Sequence, residues 1–74
     1  MGERPTNFTE WLIKNYAEQE TPIGDLARGV ARDRTWPVDA NTEQQFLSYL
    51  HRTVAPPSAI RAFRSAWKAY TRTR

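Results

Sequence analysis

The chain has no cysteine. Disulfide staples, thiolate nucleophiles and cysteine-ligated zinc are thereby excluded, and stability must come from packing. It has one histidine, His51, with no acid in the same helical turn to orient it as a base. Its three glycines, at positions 2, 24 and 29, form neither a phosphate loop nor a dinucleotide-binding turn. The single histidine and the scattered acids show no recurring metal-ligand spacing. These gaps leave little with which to build an enzyme, and no cofactor or small-molecule substrate is expected. No run of eighteen apolar residues occurs, so no membrane partner is expected. Met1-Gly2-Glu3-Arg4-Pro5 lacks the basic-then-apolar layout of a secretory signal, which points to a cytoplasmic protein. Gly2 with Thr6 fits a lipidation pattern and Asn7-Phe8-Thr9 a glycosylation pattern; both are read as chance.

What is present suffices for one domain. The 74 residues are 39% hydrophobic and include nine aromatics, enough for a single core but not for two. A core of this size contributes about 3–5 kcal/mol net, so each buried aromatic matters. Residues 1–7 are expected to be a flexible N-terminus and residues 8–72 a single helical domain. Charge is uneven: residues 1–37 hold five basic and six acidic side chains, and residues 38–74 hold six and two. The positive field therefore belongs to the C-terminal half and favours anionic partners.

Four helices are legible, separated by loops that carry most of the prolines. The first opens near Asn7, a capping residue, with Glu10 three positions on, and places Phe8, Trp11, Leu12 and Tyr16 along one face. Thr21-Pro22 starts the second, because threonine caps and proline is pre-set for the first turn. Ile23, Leu26, Ala27 and Val30 form its apolar stripe, Asp25 lies early, and Arg32 and Arg34 lie late, as the helix dipole favours. Gly29 is the weak point of this helix, at about 1 kcal/mol relative to alanine. Trp36-Pro37 breaks the chain. Thr42 with Gln45 makes a second capping pattern before Phe46, Leu47, Tyr49, Leu50 and Val54. Pro56-Pro57 stops this helix, and Ser58 is expected to cap the last one.

The last helix divides by face. At about 100° per residue, Ile60, Phe63, Ala66, Trp67 and Tyr70 fall on one arc, and Arg61, Arg64, Lys68 and Arg72 on another. Phe8, Trp11, Phe46, Phe63 and Trp67 are assigned to the core. The basic ridge, with Arg74 beyond it, can lie along a phosphate backbone; a solvated face suited to the helix dipole is the competing reading. No asparagine or glutamine accompanies the arginines to read bases. Trp36 has two readings: a plug over the bundle, or an exposed protein-recognition residue. Asp25 and Asp33 lie eight residues apart, beyond contact along a rod rising about 1.5 Å per residue, so no carboxylate dyad is expected. His51 is read as a helix-end residue beside free carbonyls.

Thr21-Pro22-Ile23-Gly24-Asp25-Leu26-Ala27, preceded by Phe8, Trp11 and Leu12, resembles the YozE-like family of small bacterial proteins. Asp33 before Trp36-Pro37, Tyr49-Leu50, and Ala62-Phe63 with Ala66-Trp67 and Tyr70 extend the likeness over about residues 8 to 70. The resemblance implies a compact four-helix bundle similar to the sterile alpha motif, whose relatives serve protein association or nucleic-acid binding. The chain departs from the family along the last helix, which is acidic in the members it resembles and basic here. The expectation is thus an all-α, non-catalytic, monomeric binding module. It would engage nucleic-acid backbone non-specifically through Arg61, Arg64, Lys68 and Arg72; the alternative is a protein-interaction module using Trp36.

Overall fold

Capping residues decide where the first three helices begin. The computed structural model describes residues 7–72 and contains α1 (Phe8–Tyr16), α2 (Pro22–Arg32), α3 (Glu43–Arg52) and α4 (Pro57–Arg72). The described part is all-α. Asn7 is the N-cap of α1, as the capping pattern with Glu10 predicts: its backbone is extended and its Oδ1 accepts the Glu10 N–H at 2.8 Å. That side chain and the buried Thr9 are thus both engaged in the fold, which leaves the glycosylation pattern structural. Gly2, Thr6 and Arg74 lie outside the described residues.

The α1–α2 turn is closed by two devices. Thr21 Oγ1 accepts the Gly24 N–H at 3.0 Å, with Pro22 in the first turn. Gly24 itself admits no side chain, since a Cβ there would overlap the Gln19 carbonyl oxygen and sit 2.9 Å from that of Tyr16. Arg28 then reaches back from α2, donating through Nη1 to the carbonyls of Ala17 at 2.8 Å and Gln19 at 2.9 Å. The first belongs to the C-cap of α1 and the second to the turn beyond it, where no helical partner is available. Helix α2 stops at its C-cap Asp33, so Arg34, expected within it, lies beyond its end.

Both sides of the α3–α4 junction differ from expectation. The Thr42–Gln45 capping box forms as the pattern predicts. Val54, however, is outside the helix and 85% exposed, rather than in its apolar face. The helix cannot continue because Pro56 would clash with the carbonyl four residues earlier and disfavours helical geometry in the residue before it. The chain instead turns through Val54 at φ 57°. The Ala55 N–H bonds the Leu50 carbonyl at 2.9 Å and the Val54 N–H bonds that of His51 at 3.1 Å, the Schellman pattern. Ser58 does not cap α4. Pro57 occupies the first position, and the Pro56 carbonyl receives the N–H groups of Ala59 and Ile60 at 2.9 and 3.2 Å. A proline with fixed φ and no donor suits that first position better than a serine suits the cap.

The core is aromatic. Phe8, Leu12, Phe46 and Phe63 are fully enclosed, joined by Ala27, Val30, Tyr49, Leu50 and Ala66. The Phe8 ring meets those of Trp11, Phe46, Phe63, Trp67 and Tyr70 at centroid distances of 5.2–5.9 Å. Trp11 and Trp67, assigned to the core, sit half-buried at its margin. Helix α2 packs on α1 and α4, and α4 also touches α1 and α3.

Candidate functional site

Helix α4 buries Ala62, Phe63 and Ala66 and leaves Arg61, Arg64, Lys68 and Arg72 exposed. The four cations fall within an arc of about 80° and are spaced along the axis by about 4.5, 6 and 6 Å. Their order follows from helical periodicity alone: the aromatic side must face the bundle, so the charged side faces water. Glu43 Oε2 lies 3.9 Å from Arg64 Nε, a surface pair worth little. Among the described residues, Arg61, Lys68 and Arg72 have no acidic partner within 4.0 Å. A shallow depression of about 440 Å³ lies along this ridge, with Arg64, Lys68 and half-buried Trp67 in its lining.

Trp36 is not available as a protein contact. It is 5% exposed, stacked on Phe46 at 5.3 Å with its edge toward Tyr49 at 5.4 Å. Its Nε1–H donates to Thr9 Oγ1 at 2.8 Å. The expectation of an exposed recognition residue is therefore corrected: the internal partner removes the need for water at the indole nitrogen, and the loop closes over the core.

The titratable groups take separate partners. His51 is exposed in the last turn of α3. Asp25 pairs with Arg28 one turn later. Asp33 Oδ1 accepts from the Thr35 N–H at 3.0 Å and the Thr35 hydroxyl at 2.8 Å, and its Oδ2 accepts from the Tyr49 hydroxyl. The Thr35 and Tyr49 oxygens are 2.6 Å apart. The bond from Tyr49, helped by those from Thr35, holds the Asp33 carboxyl below its ordinary range. The same bond to Asp33 raises the Tyr49 hydroxyl above its own, because the phenol gives up its proton at the cost of the bond.

Behind this network runs a groove of about 520 Å³ between α2, α3 and the start of α4. Asp33, Trp36 and Tyr49 line it together with apolar Leu26, Val30, Leu50 and Ala59. The sequence reading missed it. A local signal existed in Asp33-Arg34-Thr35, where an Asp two residues before a donor forms a side-chain turn, but Tyr49 arrives from sixteen residues away with no local trace. Among the described residues no group of three or more His, Asp or Glu could hold a metal, and no helix is long and apolar enough to cross a membrane.

No curated protein and no solved structure matches the chain. A family model described as the YozE SAM-like fold matches residues 7–72, spanning all four helices from the Asn7 cap to the end of α4. The match takes in the whole described part of the chain, and the chain belongs to the YozE SAM-like fold family.

Proposed function

We propose that this protein is a non-catalytic module that binds nucleic-acid backbone without sequence preference, as a cytoplasmic monomer. Arg61, Arg64, Lys68 and Arg72 make the contacts. The observation that carries this reading is that all four are exposed on one side of a sixteen-residue helix and that, among the described residues, Arg64 is the one of the four with an acidic group within 4.0 Å. Each phosphate neutralised by such a side chain releases condensed counterions, so affinity arises without base contacts and falls as salt rises. Nothing along the ridge offers the paired donor and acceptor of an amide side chain, in keeping with positioning on phosphates rather than base readout. Protein association keeps only the fold behind it once Trp36 is enclosed; the large hydrophobic side chains exposed among the described residues are Val38 and Val54.

Fluorescence anisotropy with labelled duplex and single-stranded oligonucleotides tests the proposal. Engagement of all four cations gives a log–log salt slope of about −3.6 on duplex, at about −0.9 per phosphate. Replacing Arg61, Lys68 and Arg72 together by glutamine should flatten that slope to near one phosphate while leaving the thermal transition in place. Absence of binding at low salt, or a slope unchanged by the triple substitution, rejects it.

A further inference from the structure

We propose that the groove between α2, α3 and the start of α4 is a second binding site, taking a small organic cation with an apolar body whose ammonium group meets the Asp33 carboxylate. This site is independent of the α4 ridge. Its volume, about 520 Å³, lies within the range of about 300–1,000 Å³ usual for small-molecule pockets. The walls contributed by Leu26, Val30, Leu50 and Ala59 offer an apolar bed.

Asp33 supplies the polar anchor. All its donors are neutral: the Thr35 N–H, the Thr35 hydroxyl and the Tyr49 hydroxyl. Among the described residues no Lys or Arg nitrogen lies within 4.0 Å of it, in contrast to Asp25, whose charge is answered by Arg28. A carboxylate has about four lone-pair positions; three are used here, two at Oδ1 and one at Oδ2, which leaves one at Oδ2 for an incoming N–H. The resident donors also favour the ionised form, so the charge persists at neutral pH.

Ligand charge follows from what a ligand would cover. An anion entering the groove meets the Asp33 carboxylate on its wall, which no Lys or Arg nitrogen answers within 4.0 Å among the described residues. A neutral apolar molecule strips water from an ionised carboxylate and returns nothing. An ammonium replaces that water with a charge-assisted hydrogen bond while its apolar body covers the aliphatic wall.

The test is a two-dimensional ¹H–¹⁵N NMR titration of the whole chain with phenethylammonium chloride, in parallel with uncharged phenylethanol at matched ionic strength. The expected result is saturable shifts at Leu26, Gly29, Leu50 and the Trp36 indole N–H, with the ammonium binding about tenfold or more tightly than the alcohol. Asp33→Asn should abolish that preference. Gly29→Leu provides a second variant expected to keep the fold, since Gly29 lines the groove, is exposed, and a Cβ there would meet nothing beyond its own stretch of helix. It should weaken both ligands by obstructing the groove. Absent shifts, shifts confined to other residues, equal affinity for the two ligands, or ammonium binding untouched by Gly29→Leu each overturn the proposal.

Discussion

The Trp36 indole N–H donates to the Thr9 hydroxyl across 2.8 Å, tying the loop after α2 to the first turn of α1. Twenty-seven residues separate the two in sequence, and both are buried. The bond makes Trp36 a fastener of the fold and removes it from the surface.

Trp36→Ala should therefore destabilise the protein by about 3–5 kcal/mol, the cost of deleting a large buried aromatic. Thr9→Val keeps shape but leaves the buried indole donor unpaired, which costs about 1–3 kcal/mol. Urea unfolding followed by far-ultraviolet circular dichroism measures both. A near-zero effect of Trp36→Ala would show the loop detached from the core.

The two glycines of α2 should respond in opposite directions to alanine. Gly24→Ala forces a methyl into the backbone carbonyls of Gln19 and Tyr16, which no side-chain rotation relieves, and should cost about 3 kcal/mol or more. Gly29→Ala meets open space in a helix interior and should stabilise by about 0.5–1 kcal/mol through the better helix propensity of alanine. Thermal denaturation of the pair gives the signs directly.

Val54 holds a left-handed conformation with its β-branched side chain 85% exposed. That backbone strains an L-residue by about 1–2 kcal/mol, and the exposed side chain recovers little by packing. Val54→Gly should thus raise stability by about 1 kcal/mol, after allowing for the greater freedom of glycine in the unfolded chain. A loss of stability on this substitution would place Val54 in an apolar contact.

The Asp33–Tyr49 pair predicts a stability plateau that falls at both ends of the pH scale. Asp33 has a folded pKa below the unfolded value near 3.8, so its contribution is present above that value and is lost as pH falls through the folded pKa. Tyr49 has a folded pKa above 10.0, so its contribution is complete below pH 10.0 and is lost as pH rises through the folded pKa. Denaturant midpoints taken across pH should bend at both limits in the wild type. Tyr49→Phe should remove the alkaline bend and weaken the acid one, with Thr35 retaining part of the latter.

Local chemistry determined much of this protein. Asn7, Thr21-Pro22 and Thr42 with Gln45 start their helices because a side-chain acceptor or a pre-set φ meets unpaired N–H groups within three residues, and no distant residue is needed. The aromatic and basic sides of α4 follow from helical periodicity in the same way, so the Arg61–Arg72 ridge was legible from the chain alone. Even there, the boundary depended on which local rule won: Pro57 prevailed over Ser58, and Pro56 ended α3 before Val54. Tertiary structure decided what lies far apart in the chain. Trp36 found Thr9, Arg28 found the Ala17 and Gln19 carbonyls of the α1–α2 turn, and Tyr49 found Asp33, separations of 27, 11 and 9, and 16 residues. Such pairs depend on how the helices pack, and a hydrogen bond between side chains on different elements leaves no period or cap in the sequence to announce it. The groove beside Asp33 exists for the same reason: its walls belong to three helices and the connections between them, and only their packing brings those walls together.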